Sequence, residues 1–90
     1  MHLTNLAHRL ATEPHIAAEL RDNPDLLPIA VEESMRIDAP TLGLFRTPND
    51  PAVVCGEEIP ADAKTMVLFA AVNRGPAIWD DPDTFRVDRP

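Results

Sequence analysis

Apolar residues recur with helical spacing along the first third of the chain. Leu3, Leu6, Ala7, Leu10 and Ala11 fall at i, i+3, i+4, i+7 and i+8, one apolar stripe of an amphipathic helix with Asn5, His8 and Arg9 on its wet side. No Ser, Thr, Asp or Asn precedes the stripe as a cap, so this helix reads as starting in mid-stride. Thr12 reads as the cap of a second helix, with Glu13 and Pro14 in its first turn and Asn23-Pro24 as its stop after about Asp22. Asp25 is placed to cap a third. Pro28 is tolerated in its first turn, and Leu27, Ile29, Ala30, Val31 and Met35 carry it to about Ile37, before Asp38-Ala39-Pro40 ends it.

After Pro40 the period of 3.6 gives way to short extended pieces between turn residues. Leu44 to Thr47 reads as a strand, Pro48-Asn49-Asp50-Pro51 as a turn, and Ala52 to Cys55 as a second strand. Gly56-Glu57-Glu58 reads as another turn, Ile59 to Ala63 as a connector, and the apolar Thr65 to Ala71 as a further strand. From Asn73 onward the motifs Arg-Gly-Pro, Asp-Asp-Pro-Asp and Asp-Arg-Pro predict a proline-rich, acidic meander with almost no regular structure. The expected class is therefore mainly α with a small β-sheet, α+β: helices over the first 38 residues, then short strands, then irregular chain. A long meander of this kind is either functional or held by something outside it.

Composition narrows the functions available. With 8 Lys+Arg against 15 Asp+Glu in 90 residues the formal net charge is −7, and no stretch clusters cations, so a phosphate-tracking nucleic-acid binder is excluded. Attachment to an anionic membrane surface fails for the same reason. The longest apolar run, Met66 to Val72, is about a third of a membrane span. One cysteine, Cys55, cannot form an internal disulfide and fits a reducing, cytoplasmic compartment. Four aromatics, Phe45, Phe69, Trp79 and Phe85, give the chain little large-area burial, and its ten prolines fall mostly in the second half.

Candidate chemistry is sparse. Glu33 and Arg36, three apart on the third helix, leave the same face; they are either an exposed ion pair worth a few tenths of a kcal/mol or a buried pair that holds a distant segment. His2, His8 and His15 have no Asp, Glu or Cys at ligand spacing and read as solvent-facing helix residues. Cys55 has no neighbouring cation to activate it and reads as a buried or half-buried strand residue. Three glycines do not make a phosphate cradle.

Five motifs, taken together, resemble one family. Val31-Glu32-Glu33-Ser34-Met35-Arg36, Leu44-Phe45-Arg46-Thr47, Ile59-Pro60-Ala61, Ala71-Val72-Asn73-Arg74-Gly75-Pro76 and Asp81-Pro82-Asp83-Thr84-Phe85-Arg86-Val87-Asp88-Arg89-Pro90 are similar, in order and spacing, to the carboxy-terminal half of a soluble bacterial cytochrome P450, a haem-thiolate monooxygenase. The resemblance implies a partial cytochrome P450 domain: residues 1–12 the end of the I helix, 13–23 the J helix, 25–38 the K helix, 44–72 short strands and 73–90 the meander. Glu33, Arg36 and Arg89 then correspond to a structural triad that locks the meander. Arg46 corresponds to an arginine that pairs with a haem propionate, and Thr41, Leu42, Gly43 and Leu44 to a segment that touches substrate.

The same resemblance implies haem and its iron as cofactor, a ferredoxin or flavodoxin electron donor, and hydroxylation of a small hydrophobic substrate with O2. The family's oxygen-activation motif would lie before Met1 and its cysteine loop after Pro90, while Cys55 lacks every neighbour that loop requires. The 90 residues alone are therefore expected to be inactive. They are also expected to be only partly ordered, since Arg36 and Arg89 lie 53 residues apart (89 minus 36) and closing that loop costs roughly 3–4 kcal/mol. Two alternatives stand beside this reading: a small acidic protein-interaction module, and a truncated gene model whose downstream DNA encodes the cysteine loop in frame.

Overall fold

A computed structural model describes residues 2–89; Met1 and Pro90, the outermost residues of the expected first helix and meander, lie outside the described residues. Three helices come first: α1 (His2–Thr12), α2 (Pro14–Asp22) and, after a 3₁₀ turn at Pro24–Leu26, α3 (Leu27–Asp38). Four three-residue strands follow, β1 (Leu44–Arg46), β2 (Ala52–Val54), β3 (Glu57–Ile59) and β4 (Thr65–Val67), then a one-turn helix α4 (Phe69–Val72) and the meander. The strands form two antiparallel ladders. β1 pairs with β4 in the register Leu44↔Val67, Phe45↔Met66, Arg46↔Thr65, and β2 pairs with β3 as Ala52↔Ile59, Val53↔Glu58, Val54↔Glu57.

The core lies between helices and meander. Ile16 and Leu20 of α2, Ala30 and Ile37 of α3, and Phe85 and Val87 of the meander are buried together, with Leu10 and Leu26 packed against them. Two residues of an irregular segment thus complete a helical core. The principal extents are 52 × 26 × 20 Å and the radius of gyration is 17.0 Å, against about 12 Å for a compact chain of this length. The molecule is correspondingly elongated, and Leu42, Leu44, Phe45, Met66, Val67, Leu68 and Val72, around β1, β4 and α4, are all exposed.

Several local expectations are corrected. Thr12 does not cap α2; it is the last residue of α1 and its hydroxyl donates back to His8 O at 2.9 Å. Glu13 takes the cap position without a side-chain capping bond, and Pro14 at the first helical position removes one orphan donor. Asp25 falls inside the 3₁₀ turn instead of capping α3, whose N-cap is Leu26. The expected strand Thr65 to Ala71 stops at Val67 and continues as helix from Phe69, since an unbroken apolar run carries no period to separate the two states. Strand one ends at Arg46, and Glu57 to Ile59, read as turn and connector, is a strand of its own.

The hairpin turn is Cys55-Gly56, both at positive φ (52° and 85°), the pair of left-handed residues that a two-residue loop demands. Cys55 is exposed there rather than buried in a strand. Asn5 and Arg9 are not on a wet face either, for both reach Asp38 at the end of α3.

Candidate functional site

One turn of α3 brings the Glu33 and Arg36 side chains to the same face, and the face is buried: Glu33 is 4% exposed and Arg36 7%. Glu33 Oε2 accepts from Arg36 Nε at 2.8 Å, and Oε1 accepts from Arg36 Nη2 at 2.8 Å, Arg89 Nε at 2.9 Å and the Arg86 backbone N–H at 3.0 Å. The remaining guanidinium donors go to backbone carbonyls of the meander. Arg36 Nη1 donates to Asn73 O at 2.7 Å and Pro82 O at 2.8 Å, while Arg89 reaches Asp80 O at 2.6 Å, Asp81 O at 2.8 Å and Thr84 O at 3.1 Å. Arg36 also lies over the Trp79 ring, 5.1 Å from its centroid. One carboxylate therefore fixes two planar forks, and the forks hold a segment that has no ladder or helix of its own.

Burial pushes the Glu33 carboxyl up, but the hydrogen bonds from Arg36, Arg89 and the Arg86 N–H outweigh it and leave the group below its ordinary value. At the rim, the hydrogen bond from Arg86 holds Asp88 below the usual carboxylate range. That contact is exposed and screened, so it adds little to the lock. A cleft of about 460 Å³ opens beside the triad, walled by Ile29, Met35, Arg36, Asn73, Trp79 and Arg89.

Arg46 and the Thr41–Leu44 segment lie apart from this centre. The β1–β4 register puts Leu44 and Arg46 on one face with Val67 and Thr65, and Phe45 and Met66 on the other, where Lys64 Nζ sits 4.3 Å from the Phe45 centroid. The Arg46 guanidinium is exposed and makes no hydrogen bond or ion pair among the described residues. Thr41 and Leu42 are exposed, and Gly43 is there because a Cβ at that position would stand 2.5 Å from Val67 O. Cys55 tips the other ladder.

Residues 6–90 match the family model for cytochrome P450. The chain is 40% identical over 80 residues to cytochrome P450 144 of Mycobacterium tuberculosis, covering 89% of this chain and 18% of that protein. It is 34% identical over 87 residues to the biotin biosynthesis cytochrome P450 of Bacillus subtilis, covering 97% and 22%. Among solved structures, P450BioI in complex with an acyl carrier protein carrying hexadec-9Z-enoic acid superposes with a TM-score of 0.92 at 34% identity, over 98% of this chain and 23% of that one. The fold is that of these solved structures, and the chain belongs to the cytochrome P450 family. It spans about a fifth of the length of the relatives it matches.

Two features escaped sequence reasoning. Arg9 pairs with Asp38 through Nε and Nη2, stacks 5.2 Å over Phe85 and also reaches Glu13; its hydrogen bond to Asp38 is the main reason its guanidinium is held charged above the ordinary value. Arg74 donates to Ile37 O, 37 residues away. Only the Arg9–Glu13 pair, four residues apart, is local; Asp38, Phe85 and Ile37 lie in other elements and leave no signal near Arg9 or Arg74.

Proposed function

We propose that this chain forms a haem-facing wall and the meander lock of a haem-thiolate monooxygenase that hydroxylates a small hydrophobic substrate with O2. The observation that carries the reading is Arg46, an exposed guanidinium without a partner among the described residues, on a face whose other members include the exposed Leu44 and Val67. A porphyrin is an apolar disc with carboxylates along one edge, and an arginine fork beside apolar side chains suits that edge. Bound haem with a thiolate on its iron supplies the chemistry of O–O cleavage.

The residues present fit the edge of the group and not its metal. Haem iron takes a single axial thiolate, and Cys55, the one cysteine of the sequence, stands on the β2–β3 turn, on a different ladder from the one that carries Arg46. In this reading Arg46 binds a propionate, Thr41, Leu42, Gly43 and Leu44 line the approach to substrate, and Glu33, Arg36 and Arg89 keep the meander closed. The electron donor would be a ferredoxin or flavodoxin in the bacterial cytoplasm. Cys55 is not placed to supply that thiolate, so these residues by themselves oxidise nothing.

Haemin titration followed by absorbance, with a reduced-plus-CO spectrum at saturation, tests the reading. Saturable binding without a thiolate-type Soret band is expected. Arg46→Gln should weaken binding by about tenfold or more, since a charge-assisted hydrogen bond contributes about 1.5–3 kcal/mol. A thiolate-type band from this chain, or equal affinity in the variant, would overturn it.

A further inference from the structure

The carboxyl end of α3 is closed in an uncommon way. The last carbonyls of a helix lack intrahelical partners, and a left-handed glycine commonly brings backbone N–H groups to them. After α3 the residue is Ala39, buried and at φ 25°, with no backbone capping bond, whereas Asn23 caps α2 through its own N–H to Glu19 O. Side chains close α3 instead. Arg74 donates from Nε at 3.0 Å and from Nη2 at 2.6 Å to Ile37 O, and Asn5 donates to Asp38 O at 3.3 Å. Asn73, next to Arg74, gives its own carbonyl to Arg36 Nη1. Helix and meander thus exchange arginines across the same junction.

We infer that Arg74 is a positioning residue for the Thr41–Arg46 segment, acting through the end of α3. The chain leaves α3 at Ala39 in a conformation that an L-residue abandons unless its surroundings hold it. Arg74 holds the Ile37 carbonyl, two residues before that turn, and Asn5 the Asp38 carbonyl between them. Three residues beyond the turn, Leu42 O accepts from Ala70 N at 3.1 Å, so α4 and the residues that follow it grip the segment on both sides of its bend. The third contact of Arg74, with Asp83 Oδ1 at 3.1 Å, is exposed at both ends and contributes little. The weight of Arg74 therefore falls on the Ile37 carbonyl, which accepts two donors from its one planar fork. The geometry stands without haem; only the service of the segment to a porphyrin rests on the function proposed above.

Residue-resolved hydrogen exchange on the full 90-residue chain tests this, with Arg74→Ala, Arg74→Lys, Asp83→Asn, Ala39→Gly and the double variant Arg74→Ala/Ala39→Gly. Arg74→Ala should speed exchange at Leu44–Arg46 and Ala70 about tenfold while amides of α2 stay within twofold. Arg74→Lys should not rescue it, and Asp83→Asn should match the wild type. The double variant should recover most of the protection, because glycine accepts the left-handed turn unaided. Rescue by lysine, equal acceleration at every amide, no acceleration at all, or unprotected 41–46 amides in the wild type would each overturn the inference. So would a double variant no better than Arg74→Ala, including the case in which both fail to fold. The haemin titration is read from Arg46 and absorbance, so either proposal can fail alone.

Discussion

Glu33→Gln keeps the size of the side chain and removes its charge. In the wild type, Oε1 accepts three donors and Oε2 one. Glutamine retains one acceptor oxygen and turns an NH2 toward Arg36 Nε, donor against donor, while the buried Arg36 loses its counter-charge. Breaking a buried pair by removing one partner costs about 3–5 kcal/mol. A chain of this length has a total of roughly 5–13 kcal/mol to lose. With a urea slope of about 1 kcal/mol/M, the unfolding midpoint should fall by about 3 M or more. The single tryptophan, Trp79, reports directly because Arg36 lies over its ring. A midpoint shift below about 1 M would refute the reasoning, since it would make the buried pair no stronger than a surface one. The pH dependence follows from the depressed Glu33 carboxyl. Its folded value lies below the unfolded one of about 4.3, so the stabilisation is present above that value and is lost as pH falls through the folded one. The gap between wild type and variant should therefore close below about pH 4.

Gly43→Ala should cost about 1–3 kcal/mol, because the added Cβ meets the Val67 carbonyl rather than a flexible side chain; thermal unfolding unchanged from wild type would contradict the close approach. Cys55→Asn should stabilise the chain by about 0.5–1 kcal/mol, asparagine tolerating the left-handed turn better than cysteine, and should leave haemin binding as it was. Lower stability in urea, or weaker haemin binding, would contradict the placement of Cys55 on a turn away from Arg46.

The helical third was legible because the period of 3.6 is a local signal: the stripe from Leu3 to Ala11 and the run from Leu27 to Met35 both fall within helices. Burial was not equally legible. Leu3 is exposed although it begins the clearest stripe, and α1 has no buried residue, so periodicity located the helix without saying what covers it. The spacing of Glu33 and Arg36 left a surface pair and a buried pair open, and that choice depends on Arg86 and Arg89, more than fifty residues on. Arg9 and Arg74 were missed for the same reason, since a cation aimed at another element's carboxylate or carbonyl looks like any solvated cation. The turn at Cys55-Gly56 was displaced because cysteine is a poor residue for the left-handed position it occupies.

The 56-residue separation between Glu33 and Arg89 also bears on the order of events. Contacts among α1, α2 and α3 are local in sequence and form before a loop of that length is closed. The Glu33–Arg36 pair is local to α3, but the bonds that Arg86 and Arg89 give to Glu33 are then among the last contacts made and the first that must break. Interactions absent from the folding transition state act on the unfolding rate rather than the folding rate. Glu33 therefore works as a latch in time as well as in space: it sets how long the meander stays shut once closed, and has little influence on how quickly the helices find one another.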